Sequence, residues 1–103
     1  MWVHSDLIES YLPHLSHVEL RTYVALACYA EGNDGPEPPK GDVTAHVEQD
    51  VLAAIVGCRE VQIERALLKL AGLGLVVRVG GRGFKLRLPP PPLTRFNRKE
   101  VSR

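Results

Sequence analysis

Gly57 separates two stretches that both carry the marks of helix, and no other position constrains the fold as much. Residues 52–56 (LAAIV) are apolar throughout, with Leu52 and Ile55 expected to face inward. Beyond the glycine, Ile63, Ala66, Leu67 and Leu70 recur at helical spacing. A glycine inside a continuous helix costs about 1 kcal/mol against alanine. Placed at a corner it ends one helix, and its missing side chain allows the next to cross closely. Two helices meeting at a steep angle across a short glycine turn form a helix-turn-helix. The second of them, expected to run to about Leu73 and to stop at Gly74, carries Arg59, Glu60, Gln62, Arg65 and Lys69 outward.

Upstream, Ser16 followed by Glu19 is a capping box, and Leu15 and Leu20 occupy the positions of a hydrophobic staple. Val18, Leu20, Tyr23, Val24, Ala27 and Cys28 continue that helix, with Gly32 as its expected left-handed end. A shorter helix is expected over residues 5–12, capped by Ser5 and stopped by Pro13. The Pro- and Gly-rich residues 32–41 form an exposed loop. Residues 43–47 read as a short strand, with a helix from Thr44 as the other possibility.

After Gly74, residues 75–79 and 84–88 alternate apolar and basic at the period of a strand. Gly80, Gly81, Arg82 and Gly83 between them are hairpin chemistry. Arg78 points away from Val77 and Val79. Lys85 and Arg87 point away from Phe84, Leu86 and Leu88, and Arg82 sits at the tip. The prolines at 89–92 cannot join a central strand, so they close the domain. One domain over residues 1–88 is therefore expected, followed by a disordered basic tail or linker over 89–103.

Charge is sorted along the chain. Residues 1–58 hold nine acids and two bases, a net −7; residues 59–88 hold seven bases and two acids, a net +5. Residues 89–103 hold four bases and one acid, a net +3. This asymmetry points to a polyanion met by the C-terminal half. Two cysteines thirty positions apart, Cys28 and Cys58, make neither a disulfide framework nor a close metal motif, and are read as buried, reduced thiols. No apolar run reaches the ~18 residues of a membrane span, and the N-terminus lacks the pattern of a signal peptide. The expectation is a cytoplasmic protein. His14 and His17 share spacing but lack further ligands, and no nucleophile elbow, phosphate loop or carboxylate pair is present. No cofactor, no metal and no enzymatic activity are expected.

The stretch LAAIVGCREVQIERALLKLAGLGLV resembles the helix-turn-helix of the winged-helix superfamily of bacterial and phage DNA-binding proteins. Leu52 and Ala53 match its opening, Gly57 its turn glycine and Cys58 the small residue after it. Ile63, Arg65, Leu67 and Leu70 match the following helix, and Leu73, Gly74, Leu75 and Val76 its exit. The wider order is similar to the N-terminal winged-helix domains of DnaD-type phage and plasmid replication initiators. Arg59 stands where that superfamily usually has serine or threonine, so the usual cap of the third helix is missing, and Glu60 and Glu64 repel phosphate.

The resemblance implies an α+β winged helix-turn-helix: a three-helix core after a short helix, with a small antiparallel sheet ending in a β-hairpin wing. It implies sequence-specific binding of double-stranded DNA in a replication initiator or transcription regulator, with the third helix in the major groove. Gln62 suits adenine, Arg59 and Arg65 guanine, and Glu60 cytosine. Lys69, Arg78, Arg82, Lys85 and Arg87 suit phosphate or the minor groove. A single module has a small footprint, so a homodimer or adjacent copies are expected, with Trp2 and Tyr11 on the self-association surface. The other reading is a winged-helix protein-interaction module that holds other replication or regulatory proteins without specific DNA binding. Its support is the acidic N-terminal half, the two glutamates and a proline run suited to an aromatic groove.

Overall fold

The computed structural model describes residues 1–92; of the tail expected over 89–103, residues 89–92 are described and residues 93–103 lie outside the described residues. The chain is α+β. A π-helical turn, Leu7–Tyr11, and a 3-10 turn, Leu12–His14, precede α1 (His17–Tyr29). The strands β1 (Ala30–Glu31) and β2 (Val43–His46) follow, then α2 (Gln49–Val56), α3 (Glu60–Gly72), β3 (Val76–Val79) and β4 (Gly83–Leu86). The four strands form one antiparallel sheet in the order β1-β2-β4-β3. Residues 43–46 are thus strand, and the helical possibility from Thr44 is not the one adopted.

The capping box of α1 is present in full. Ser16 Oγ accepts from the Glu19 N–H at 3.2 Å, and Glu19 Oε1 accepts from the Ser16 N–H at 2.8 Å. Each satisfies a backbone donor that the first helical turn leaves open. The other end of α1 departs from expectation. The helix stops at Tyr29, and Ala30 is already extended so as to pair with Ala45 of β2. Gly32, at φ +86°, lies beyond that strand rather than at the helix end. Pairing with β2 gives these backbone groups better partners than another helical turn would. The N-terminal turns differ as well. Ser5 is not their cap, and Pro13 does not stop them, because it sits in the first turn of the 3-10 segment, where a missing N–H is no loss.

At Gly57 the backbone takes φ +85° and ψ +40°. The Gly57 and Cys58 N–H groups both bond to the Ala53 carbonyl, at 2.8 and 3.0 Å, and close the end of α2. A Cβ at this glycine would meet open space, so the expected close helix crossing is not its reason. The left-handed φ is the reason, since glycine alone adopts it without a steric penalty. Gly83 is a different case: a Cβ there would lie 2.6 Å from the Val79 carbonyl oxygen, so the hairpin closes only around a hydrogen. The end of α3 follows the expected pattern, with the Leu75 and Gly74 N–H groups bonded to the Leu70 and Ala71 carbonyls.

The helices pack on one face of the sheet, formed by Val43, Ala45, Val76, Phe84 and Leu86. Leu26 of α1, Leu52 of α2 and Ile63, Leu67 and Leu70 of α3 meet over it. Each such side chain contributes about 1.5–3 kcal/mol when fully buried. Ile55, expected inward, is 45% exposed; Ala53 and Val56 take the inward positions of α2 instead. The thiols are not sealed in the core either, Cys28 being exposed on α1 and Cys58 half-buried. Tyr11 is buried in the core, so it cannot form a self-association surface, and its hydroxyl donates to the Pro91 carbonyl. Trp2 is tethered through its indole N–H to the Gly35 carbonyl at 2.9 Å. The buried Asn33 donates to the Trp2 and Ala27 carbonyls and so pins the N-terminus to the loop after β1.

Two measurements test this framework. Gly57→Ala should lower stability by about 1–2 kcal/mol, the penalty of a left-handed side-chain residue; Gly57→Asn should lose less, and urea melts distinguish them. The second concerns alkaline pH. Burial raises the Tyr23 phenol from 10.0 to about 12. The unfolded chain ionises near 10.0 while the folded chain stays neutral, so stability is whole below that pH and falls as pH rises from about 10 towards 12. A urea midpoint unchanged over that interval would contradict the burial of Tyr23.

Candidate nucleic-acid interface

The corner at Gly57 leaves α3 with one side in the core and the other in solvent. Ile63, Ala66, Leu67 and Leu70 are buried, as their spacing requires. The start of the helix is capped from an unexpected direction. Arg59 has no acceptor to offer its own helix, but Gln62 Oε1 reaches back and accepts from the Arg59 N–H at 3.0 Å. The missing serine or threonine is therefore replaced by half of a capping box. The consequence falls on Gln62 itself. It is half-buried with its amide oxygen engaged, so it is not the free outward adenine reader that was expected.

The basic residues divide by partner. Lys69 Nζ lies 3.8 Å from Glu19 of α1 and is half-buried, which turns it towards the protein rather than towards a phosphate. Arg78 Nη2 lies 3.8 Å from Glu64, Arg82 Nη1 3.5 Å from Glu48, and Lys85 Nζ 3.9 Å from Asp42. Four of the expected contact residues are thus matched by carboxylates, three of which come from the acidic N-terminal half. Among the described residues, no carboxylate pairs with Arg59 or Arg65, and both are exposed. Glu60 is exposed beside them.

Strand alternation splits the hairpin. Arg78 is paired opposite Phe84 and shares its face, with the guanidinium carbon 5.2 Å from the ring centroid. Its Nη2 also donates to Gln49 Oε1 at 3.3 Å, and Gln49 Nε2 donates to Glu64 Oε1 at 2.8 Å. Gln49, Glu64 and Arg78 thereby tie the start of α2, the middle of α3 and β3 into one surface. Lys85 pairs opposite the exposed Val77, on the sheet face turned away from the helices. Arg87 alternates to that same side, and it stands near Tyr11, whose raised pKa reflects burial, opposed by the Arg87 charge. Lys85 and Arg87 therefore do not join α3. Arg82 is exposed at the tip, while its carbonyl accepts from the Val47 N–H at 3.2 Å, which anchors the hairpin to the residue that follows β2.

Sequence reasoning missed two side chains. Val61 is 50% exposed and Leu68 64% exposed, and both flank Arg65 on the solvent stripe of α3. The signal was present, because position 61 lies four residues before Arg65 and position 68 three after it. Leu68 also borders a groove of about 240 Å³ between α3 and the hairpin, with Leu67, Ala71, Val76 and Phe84 in its lining. The proline run is not free for an aromatic groove: Pro90 is buried, and Pro91 lies against Gly74. Among the described residues no group of three or more metal-ligating side chains occurs, and no helix is long and apolar enough to cross a membrane.

The Glu64–Arg78 pair is solvated on both sides. A double-mutant cycle on it should return a coupling below about 1 kcal/mol, as for exposed pairs in general, and a larger value would mark it as a structural clamp. No protein-family model matches the chain, and no curated protein matches it.

Proposed function

We propose that this chain is a winged-helix domain that binds double-stranded DNA, with α3 in the major groove and the hairpin beside it. Support for the fold reading comes from the helix-turn-helix of α2 and α3 followed by a hairpin, with β2 paired to the hairpin's second strand. The observation that carries the functional reading is the state of Arg59 and Arg65. Arg59 at the N-terminal end of α3 and Arg65 within its first two turns stand exposed without a carboxylate partner among the described residues, on the part of a recognition helix that meets base edges. A replication initiator or transcription regulator is the setting proposed, with two copies or adjacent sites enlarging a small footprint.

A specific observation favours a second reading. Four cations are already neutralised, and Leu68 stands exposed at an apolar groove, as a protein partner would need. Salt separates the two. A DNA complex loses affinity with a slope of about −0.9 per phosphate neutralised, whereas a protein-interaction module shows little duplex binding at any salt.

The test is fluorescence anisotropy on duplexes selected from a random library. Arg65→Ala should weaken binding by about 1–3 kcal/mol and relax sequence preference. Arg82→Ala should weaken all sequences evenly and flatten the salt slope. Wild-type binding by both variants would remove this surface from the reading.

A further inference from the structure

We infer that Val61 is a specificity residue that reads the 5-methyl group of thymine, so the target holds a thymine within about two base steps of the guanine met by Arg65. The inference rests on the DNA-binding reading above and adds the base class that α3 selects.

Val61 is the second residue of α3, where a helix lying in the major groove presents its side chains to base edges. It is half exposed and takes no part in the hydrophobic core. A β-branched residue at an exposed helical position has lower helix propensity than alanine, and half of the Val61 surface is open to a partner. Two of its polar neighbours are already occupied, and Glu60, exposed beside it, is an acceptor that suits cytosine and not the thymine methyl. Gln62 spends its amide oxygen on the Arg59 N–H, and Glu64 is held by Gln49 and Arg78. The stripe left facing outward is Val61, Arg65 and Leu68, spaced as successive turns of one helix face. Arg65 and the nearby Arg59, both without a carboxylate partner among the described residues, give this stripe the charge that complements a polyanion. On the major-groove edges of the four base pairs, the thymine methyl is the one apolar group that an aliphatic side chain can cover. One turn of α3 rises about 5.4 Å, against about 3.4 Å per base step, which sets the separation from the guanine.

The test replaces each thymine of a library-selected duplex, one at a time, by deoxyuridine, which removes the methyl group and nothing else. At one position within about two steps of the guanine, wild-type affinity should fall about fourfold, the factor carried by one buried methyl group. Val61→Ser and Val61→Asn, which carry no methyl group, should bind the thymine and uracil duplexes alike, with thermal melts confirming that both variants fold. Indifference of the wild type to uracil at every position would overturn the inference, and so would variants that keep the discrimination. In both cases the selected duplex still binds, so the DNA-binding reading stands. Failure to select any duplex would overturn that reading and this inference together.

Discussion

The left-handed backbone at Gly57 is the constraint on which the rest of the molecule depends. It ends α2 after eight residues and sends α3 away within three. With α2 anchored by Leu52 and Val56, that change of direction decides which side of α3 meets the core. It puts Ile63, Leu67 and Leu70 under the sheet and leaves Val61, Arg65 and Leu68 outside. Because the space around Gly57 is open, the constraint lies in backbone torsion and not in packing. A steric corner would yield if its neighbours moved, whereas a torsional one is written into the residue itself.

Electrostatics turns the charge segregation of the chain into something different in space. An acidic N-terminal half and a basic C-terminal half suggest a large cationic face. Folding instead brings Glu19, Asp42 and Glu48 to Lys69, Lys85 and Arg82. Each pair is worth little in stability, since exposed ion pairs contribute about 0–1 kcal/mol. Their larger effect is to leave Arg59, before α3, and Arg65, within it, without a carboxylate partner among the described residues. In the proposed reading that concentrates the base-reading charge on the first two turns of α3, with the solvated Arg82 at the hairpin tip left for phosphate.

Gln62 shows how helix capping takes up a side chain that the proposed DNA contact would also use. An exposed glutamine on a recognition helix suits adenine, yet a helix that begins at arginine has an open N–H to satisfy. The local bond forms because the two groups are three residues apart and ordering them costs little further entropy. Arg78 repeats the pattern on the hairpin, where the Phe84 ring and the Gln49 and Glu64 side chains hold a guanidinium that would otherwise sweep solvent.

The features legible in the sequence are those set by interactions a few residues apart. The Ser16–Glu19 box, the corner at Gly57, the inward face of α3 and the glycine-tipped hairpin all belong to this class. They depend on backbone torsion and on helix or strand period, both properties of a local segment. What only the tertiary structure decided involves partners far apart in the chain. Pairing with β2 ended α1 before Gly32, and Phe84 drew Arg78 across the sheet. Pro91 received the hydroxyl of Tyr11, eighty residues away. Period and torsion say which way a side chain points from its own element, but not which distant group stands there to meet it.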